Sequence, residues 1–150
     1  MSIDNSKIRK IILVEHEGLR INLRGIEALL DRVAAGDVPA REAAFQQLSS
    51  MLQTFLRHIE HEEAILQPVL AQIDAWGPQR KAAMDEEHKL QRALVMQLTS
   101  MDPAVDPAAW ARDVRIFAKD LLLDMADEEK TCLSPNVLRD DVVVVDGTSE

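Results

Sequence analysis

Apolar side chains recur along this chain at intervals of three and four, the period of a helix with one buried face. In residues 8–35 the series is Ile12, Leu19, Leu23, Ile26, Leu29, Leu30 and Val33. In 40–75 it is Phe45, Leu48, Met51, Leu52, Phe55, Ile59, Leu66 and Leu70. Met84, Leu90, Leu94 and Leu98 follow in 79–101, then Trp110, Val114, Phe117, Leu121 and Met125 in 108–133. Clusters of Pro and Gly separate these stretches at Gly36 to Pro39, Trp76-Gly77-Pro78, and Pro103 to Pro107. Asp37 and Asp106 suit N-caps, and Pro78 and Pro107 suit a first helical turn, where a missing N–H costs nothing. Helices joined by such short loops pack as antiparallel neighbours, so the pattern predicts an all-α, up-down-up-down four-helix bundle over residues 1–135. Pro68 interrupts the second helix and predicts a kink, or an end near Gln67. Residues 136–150 read as a C-terminal tail, with the run Val142 to Val145 able to pair as a short strand.

The chain also repeats itself. Glu15-His16 recurs 72 positions on as Glu87-His88. His58, Glu62 and Glu63 correspond to Asp124, Glu128 and Glu129, 66 positions on, and Pro68 corresponds to Pro135 at 67. A duplicated helical hairpin accounts for these offsets.

Histidine occurs only four times, and three of the four converge. In an antiparallel hairpin, residues equidistant from the turn share a level. Position 37, in the first loop, lies midway between His16 and His58; position 75, beside the second, between Glu62 and His88; position 106, in the third, between His88 and Asp124. His58 and Glu62 are four apart, as are Asp124 and Glu128, so each pair lies about 40° apart on one helix face. Leu52, Phe55, Leu66 and Leu121 lie near those faces, which turns the polar groups inward. Buried charge is costly unless it is paired or bound to metal. A layer of imidazoles and carboxylates inside an apolar bundle is the donor set of a non-haem di-iron or di-manganese site. The candidate ligands are His16, His58, Glu62, His88 and Glu128, with Asp124 as a further member. His61 is three residues from His58 and is expected to face solvent or a neighbouring helix, while Glu63 and Glu129 are expected at the surface or orienting ligands.

Composition narrows the function classes. With 17 basic against 26 acidic residues, net −9, the chain lacks the basic face that nucleic acid requires. No apolar run is long enough to span a membrane, and MSIDNSKIRK lacks the apolar stretch of a signal peptide. Cys132 is the sole cysteine, so no internal disulfide forms and a reducing, cytoplasmic location is expected; the thiol itself is expected to be buried and inert. Without any Tyr, a tyrosyl ligand or radical is excluded. Trp76 and Trp110 are expected to pack at loop ends.

The segments Glu15-His16-Glu17-Gly18-Leu19-Arg20, His58-x-x-x-Glu62-Glu63 with Pro68, Glu87-His88, and Glu128-Glu129 with Pro135 resemble the hemerythrin-like (HHE cation-binding) family over residues 8–135. The resemblance implies a pair of non-haem irons between four helices. His16 and His58 would serve one iron and His88 the other, with Glu62 and Glu128 bridging. It also implies binding of O2, NO or peroxide for oxygen or redox sensing, storage or detoxification, with any signalling output passed to a protein partner. Two departures stand out. Asp124 occupies the place of the family's helix-four histidine, and Arg92 the place of a further histidine found in oxygen-carrying members. Both bear on the second iron, because Arg92 could pair with Asp124 and replace that ion's charge. Two other readings compete: a di-iron peroxidase or oxidase, favoured by more carboxylate and less imidazole, and a metal-free helical interaction module.

Overall fold

The computed structural model describes residues 4–140; the Val142 to Val145 run lies outside them. The elements are α1 (Asn5–Ala34), α2 (Val38–His61), a π-helical turn (Glu62–Leu66), α3 (Gln67–Ile73), α4 (Gly77–Thr99) and α5 (Pro107–Lys130). Since α2, the π turn and α3 are continuous, the fold is four helical rods, with no strand among the described residues. The bundle is the all-helical fold that the apolar period predicts.

The loops behave as their chemistry requires. Asp37 caps α2 by accepting from the Ala40 N–H at 3.1 Å, and Asp106 caps α5 by accepting from Ala109 at 3.0 Å. Gly36 adopts φ 91°, and the N–H groups of Gly36 and Asp37 return to the carbonyls of Val33 and Arg32, closing α1 with a left-handed cap. At Pro68 the helix does not stop. Proline has no N–H for the Ala64 carbonyl and its ring would crowd that carbonyl. The backbone widens instead, and the Gln67 N–H reaches back five residues to Glu62. The equivalent bond recurs in the second half of the chain, where Leu133 N–H reaches back five residues to Glu128 at 2.9 Å.

Two apolar clusters fill the bundle. The larger joins Leu19 through Val33, Ala40 through Ile59, and the facing parts of α4 and α5. A smaller one at the other end gathers Ile8, Ile12, Leu66, Leu70, Ile73, Met84, Cys132, Leu133 and Leu138. Leu138 is fully buried, and the backbone around it is tied to α1 through Asn5 and Arg9. Between the clusters lies the layer holding the histidines.

The apolar period misplaces one face. Leu90 and Leu94 are 65% and 38% exposed, whereas the buried face of α4 is Met84, His88, Gln91, Val95 and Leu98. Two polar residues sit where a core stripe would be apolar, so the apolar pattern alone points to the wrong side. Phe45 is likewise part-exposed. Trp110 is fully buried while Trp76 stands mostly in solvent.

Candidate metal centre

Each rod contributes to the central layer. His16 comes from α1, His58 from the end of α2, Glu62 from the π turn, His88 from α4 and Glu128 from α5. All five are buried. Donor atoms of His16, His58, Glu62 and Glu128 lie within 4.8 Å of one another. His88 joins them through Nε2, which is 3.1 Å from Glu62 Oε1; the same oxygen is 3.2 Å from His58 Nε2. Across the layer His16 Nε2 is 3.2 Å from Glu128 Oε1. Asp124 stands outside this group, half-buried, accepting from the Gln91 amide at 3.3 Å.

Every imidazole is braced from behind. The outer Nδ1 of His16 donates to Glu129 at 2.7 Å, that of His58 to Glu15 at 2.7 Å, and that of His88 to Glu63 at 3.1 Å. A carboxylate on Nδ1 fixes the ring and aims Nε2 at the centre, the arrangement that metal-binding histidines adopt. Arginines hold two of these carboxylates in turn: Arg20 pairs with Glu129 at 2.8 Å, and Arg92 grips Glu63 with both nitrogens, at 2.8 and 2.6 Å. The competing Arg92–Asp124 pair therefore does not form. Arg92 lies 72 positions after Arg20, and it repeats the role of Arg20 on the repeated glutamate.

The duplication thus extends to function-bearing contacts. His16, Arg20, Glu128 and Glu129 form one unit, and His88, Arg92, Glu62 and Glu63 form its counterpart. Arg20 and Glu15 acquire their tasks only from the fold, as partner of Glu129 and as brace of His58. The signal was present in the shared offset of Arg20 and Arg92. His61, 38% exposed on its side chain, donates to the second oxygen of Glu15, so it faces the neighbouring helix rather than the centre.

Electrostatics show a layer under charge stress. Burial opposes the charge on His58, but hydrogen bonds to Glu15 and Glu62 outweigh it and push the imidazole up to about 9. Burial likewise opposes His88, and Glu62 and Glu63 raise it. His16 goes the other way, because burial dominates its contact with Glu129. Burial and the neighbouring Glu62 raise Glu128, while Glu62, despite burial, is lowered by its contacts with Glu128, His58 and His88. Two buried oxygens, Glu62 Oε2 and Glu128 Oε1, have no hydrogen-bond partner. Two buried carboxylates facing three braced imidazoles fit a bound divalent cation, which would satisfy the free lone pairs of both.

The description "Hemerythrin HHE cation binding domain" matches residues 7–134. The chain belongs to the hemerythrin HHE family. That membership carries cation binding, and the braced layer is the place in this member's fold with the donors for it. Neither the curated proteins nor the solved structures returned a match. A cavity of about 390 Å³, lined in part by Glu15, Gly18, His58 and His61, opens to the surface beside this HHE site. No helix among the described residues is long and apolar enough to cross a membrane.

Proposed function

We propose that this hemerythrin-family bundle holds iron between His16, His58, Glu62, His88 and Glu128, with Asp124 at the edge of the second position, and that the iron takes up O2, NO or peroxide. The observation that supports this reading is the pair of buried carboxylates, Glu62 and Glu128, set against three imidazoles whose Nδ1 atoms are already engaged, with Glu62 Oε2 left without a partner. Imidazole and carboxylate together suit iron, and when bound it would supply a Lewis-acidic, redox-active centre with room for an outside ligand. The protein's own part is to orient the donors, keep apolar clusters on both sides of them, and leave the cavity beside His58 as an approach for a small molecule. Sensing, storage or detoxification in the cytoplasm would use that binding.

One observation favours an alternative in the enzyme class. Carboxylates are more numerous on the α4–α5 side of the layer, where Glu87 and Asp124 both accept from the Gln91 amide, and more carboxylate with less imidazole favours oxidation chemistry at iron over reversible carriage. Steady-state consumption of peroxide separates the two readings.

The deciding experiment is metal analysis after anaerobic loading of the purified protein with ferrous iron. About one to two equivalents are expected, with an optical change on adding NO or O2, whereas less than about 0.2 equivalents would overturn the reading.

A further inference from the structure

The cavity between α1 and α2 is larger than a diatomic ligand requires. Such a molecule needs about the space of one water, roughly 30 Å³, whereas the cavity holds about 390 Å³. That volume falls among sites for small organic molecules, roughly 300–1,000 Å³. Its α1 wall is bare at Gly18, in the interior of a helix, where glycine is less stable than alanine. A Cβ there would meet nothing within 4 Å, so the missing side chain leaves open space and not a close helix contact.

Two polar groups in the lining are uncommitted. Among the described residues the Asn22 amide has no hydrogen-bond partner. The Arg57 guanidinium has no carboxylate partner there either, and its hydrogen bond is to the Thr54 hydroxyl at 3.4 Å. Arg20, Arg80, Arg92 and Arg115, by contrast, each hold an Asp or Glu. Glu15 is the only acidic side chain among the described residues lining the cavity, and both its oxygens are engaged, by His58 at 2.7 Å and His61 at 2.5 Å. The free donors therefore face space with no free acceptor beside them, which suits an anion. A guanidinium presents its N–H groups as a planar fork that matches a single carboxylate. A dianionic phosphate would call for a second Lys or Arg, and none lines the cavity among the described residues.

We propose that this cavity is a binding site for a small organic carboxylate, held by Arg57 and Asn22 with its body against Gly18 and Leu19. The occupant shares a wall with Glu15 and His61 and so lies on the outer side of His58. The site stands independently of the metal reading, because neither Arg57 nor Asn22 belongs to the central layer.

The test is calorimetric titration of the full-length apoprotein with acetate, butyrate and benzoate, with benzamide as the neutral counterpart of benzoate, and with inorganic phosphate. Butyrate or benzoate should bind once per chain with Kd about 1 mM or lower, and benzamide about tenfold more weakly or worse. Arg57→Gln should weaken the carboxylate by about tenfold or more, while Arg41→Gln, which removes another arginine without a carboxylate partner, should leave it within about twofold. Gly18→Leu fills the space and should abolish binding without lowering the melting temperature. No binding of any of the three carboxylates below about 10 mM would overturn the proposal. Equal binding of benzamide, tighter binding of phosphate, or binding that survives Gly18→Leu would overturn it as well. A loss that Arg41→Gln reproduces would also do so, since it would report the charge of the whole chain and not this cavity. Carboxylate binding with the expected variant pattern in a protein that takes up no iron would overturn the metal reading alone.

Discussion

Glu62 approaches His58 and His88 through one oxygen, while its other oxygen has no partner. Among the described residues no other carboxylate joins the inward nitrogens of two of the three central imidazoles, so its removal uncouples the helices that supply them. Glu62→Ala should therefore lower metal content far more than His61→Ala, whose imidazole contacts only the outward oxygen of Glu15. Equal losses by metal analysis would show that His61 belongs to the centre. Asp124 offers a second case. Arg92 is engaged by Glu63, so Asp124→His leaves no arginine stranded in the interior. The new imidazole would stand before Glu87 as His58 stands before Glu15, braced and aimed inward. Asp124→His should raise affinity at the second position by about tenfold or more without lowering the melting temperature. A variant that melts much lower and gains no metal would mean that the repeated geometry does not accept the repeated residue.

Among the helices, the turn from α3 into α4 is closely packed. A Cβ on Gly77 would lie 2.0 Å from the Leu70 carbonyl oxygen, a backbone atom that cannot swing aside. Gly77→Ala should cost about 1–3 kcal/mol through forced separation of the two helices, lowering the melting temperature by about 2–4 °C for each kcal/mol. Gly18→Ala is the control. Its Cβ meets nothing within 4 Å, and a helix interior gains about 0.5–1 kcal/mol from alanine over glycine, so this variant should melt slightly higher. Neither behaviour is legible in the sequence, where Gly77 reads only as a loop residue before Pro78. The helices themselves were legible, since their caps and apolar period are local properties. Pro68 was legible as a disturbance but not as a π turn, because a proline can end, bend or widen a helix and the surrounding packing decides which. The convergence of His16, His58, Glu62 and His88 was legible from equal distances to the first two turns, and that of Glu128 from its place four residues after Asp124, which the third turn puts at the same level but the structure leaves outside the group. Of their braces, Glu63 and Glu129 were legible as groups beside site residues that could orient ligands, but Glu15 was not, because it sits one residue from His16 and periodicity assigns such a position to a different face. The failure at Leu90 and Leu94 has the same origin, since His88 and Gln91 occupy the buried face of α4 that apolar residues usually mark.

The molecule as a whole consists of two apolar clusters separated by a polar layer. In the metal-free state that layer costs stability. Two carboxylates, Glu62 and Glu128, are both more than nine-tenths buried, and Glu62 Oε2 has no partner. An unsatisfied buried oxygen costs about 1–3 kcal/mol, which a marginally stable domain feels. The fold tolerates this because clusters on either side carry the packing. A cation that binds the folded layer and not the unfolded chain would return that cost and add its own linkage. At a free metal concentration a hundredfold above Kd the gain is about 2.7 kcal/mol, or about 5–10 °C in melting temperature for a chain of this size. Scanning calorimetry of iron-loaded and chelator-treated protein, both anaerobic, measures it. Glu128→Gln makes the test specific. Burial and Glu62 raise the Glu128 pKa, favouring the protonated form, so the neutral amide should change the apoprotein by less than about 0.5 kcal/mol. The same substitution removes a charged donor and should abolish most of the metal-dependent gain. If Glu128→Gln destabilises the apoprotein as much as it lowers the iron-loaded one, the carboxylate serves the fold and not the metal.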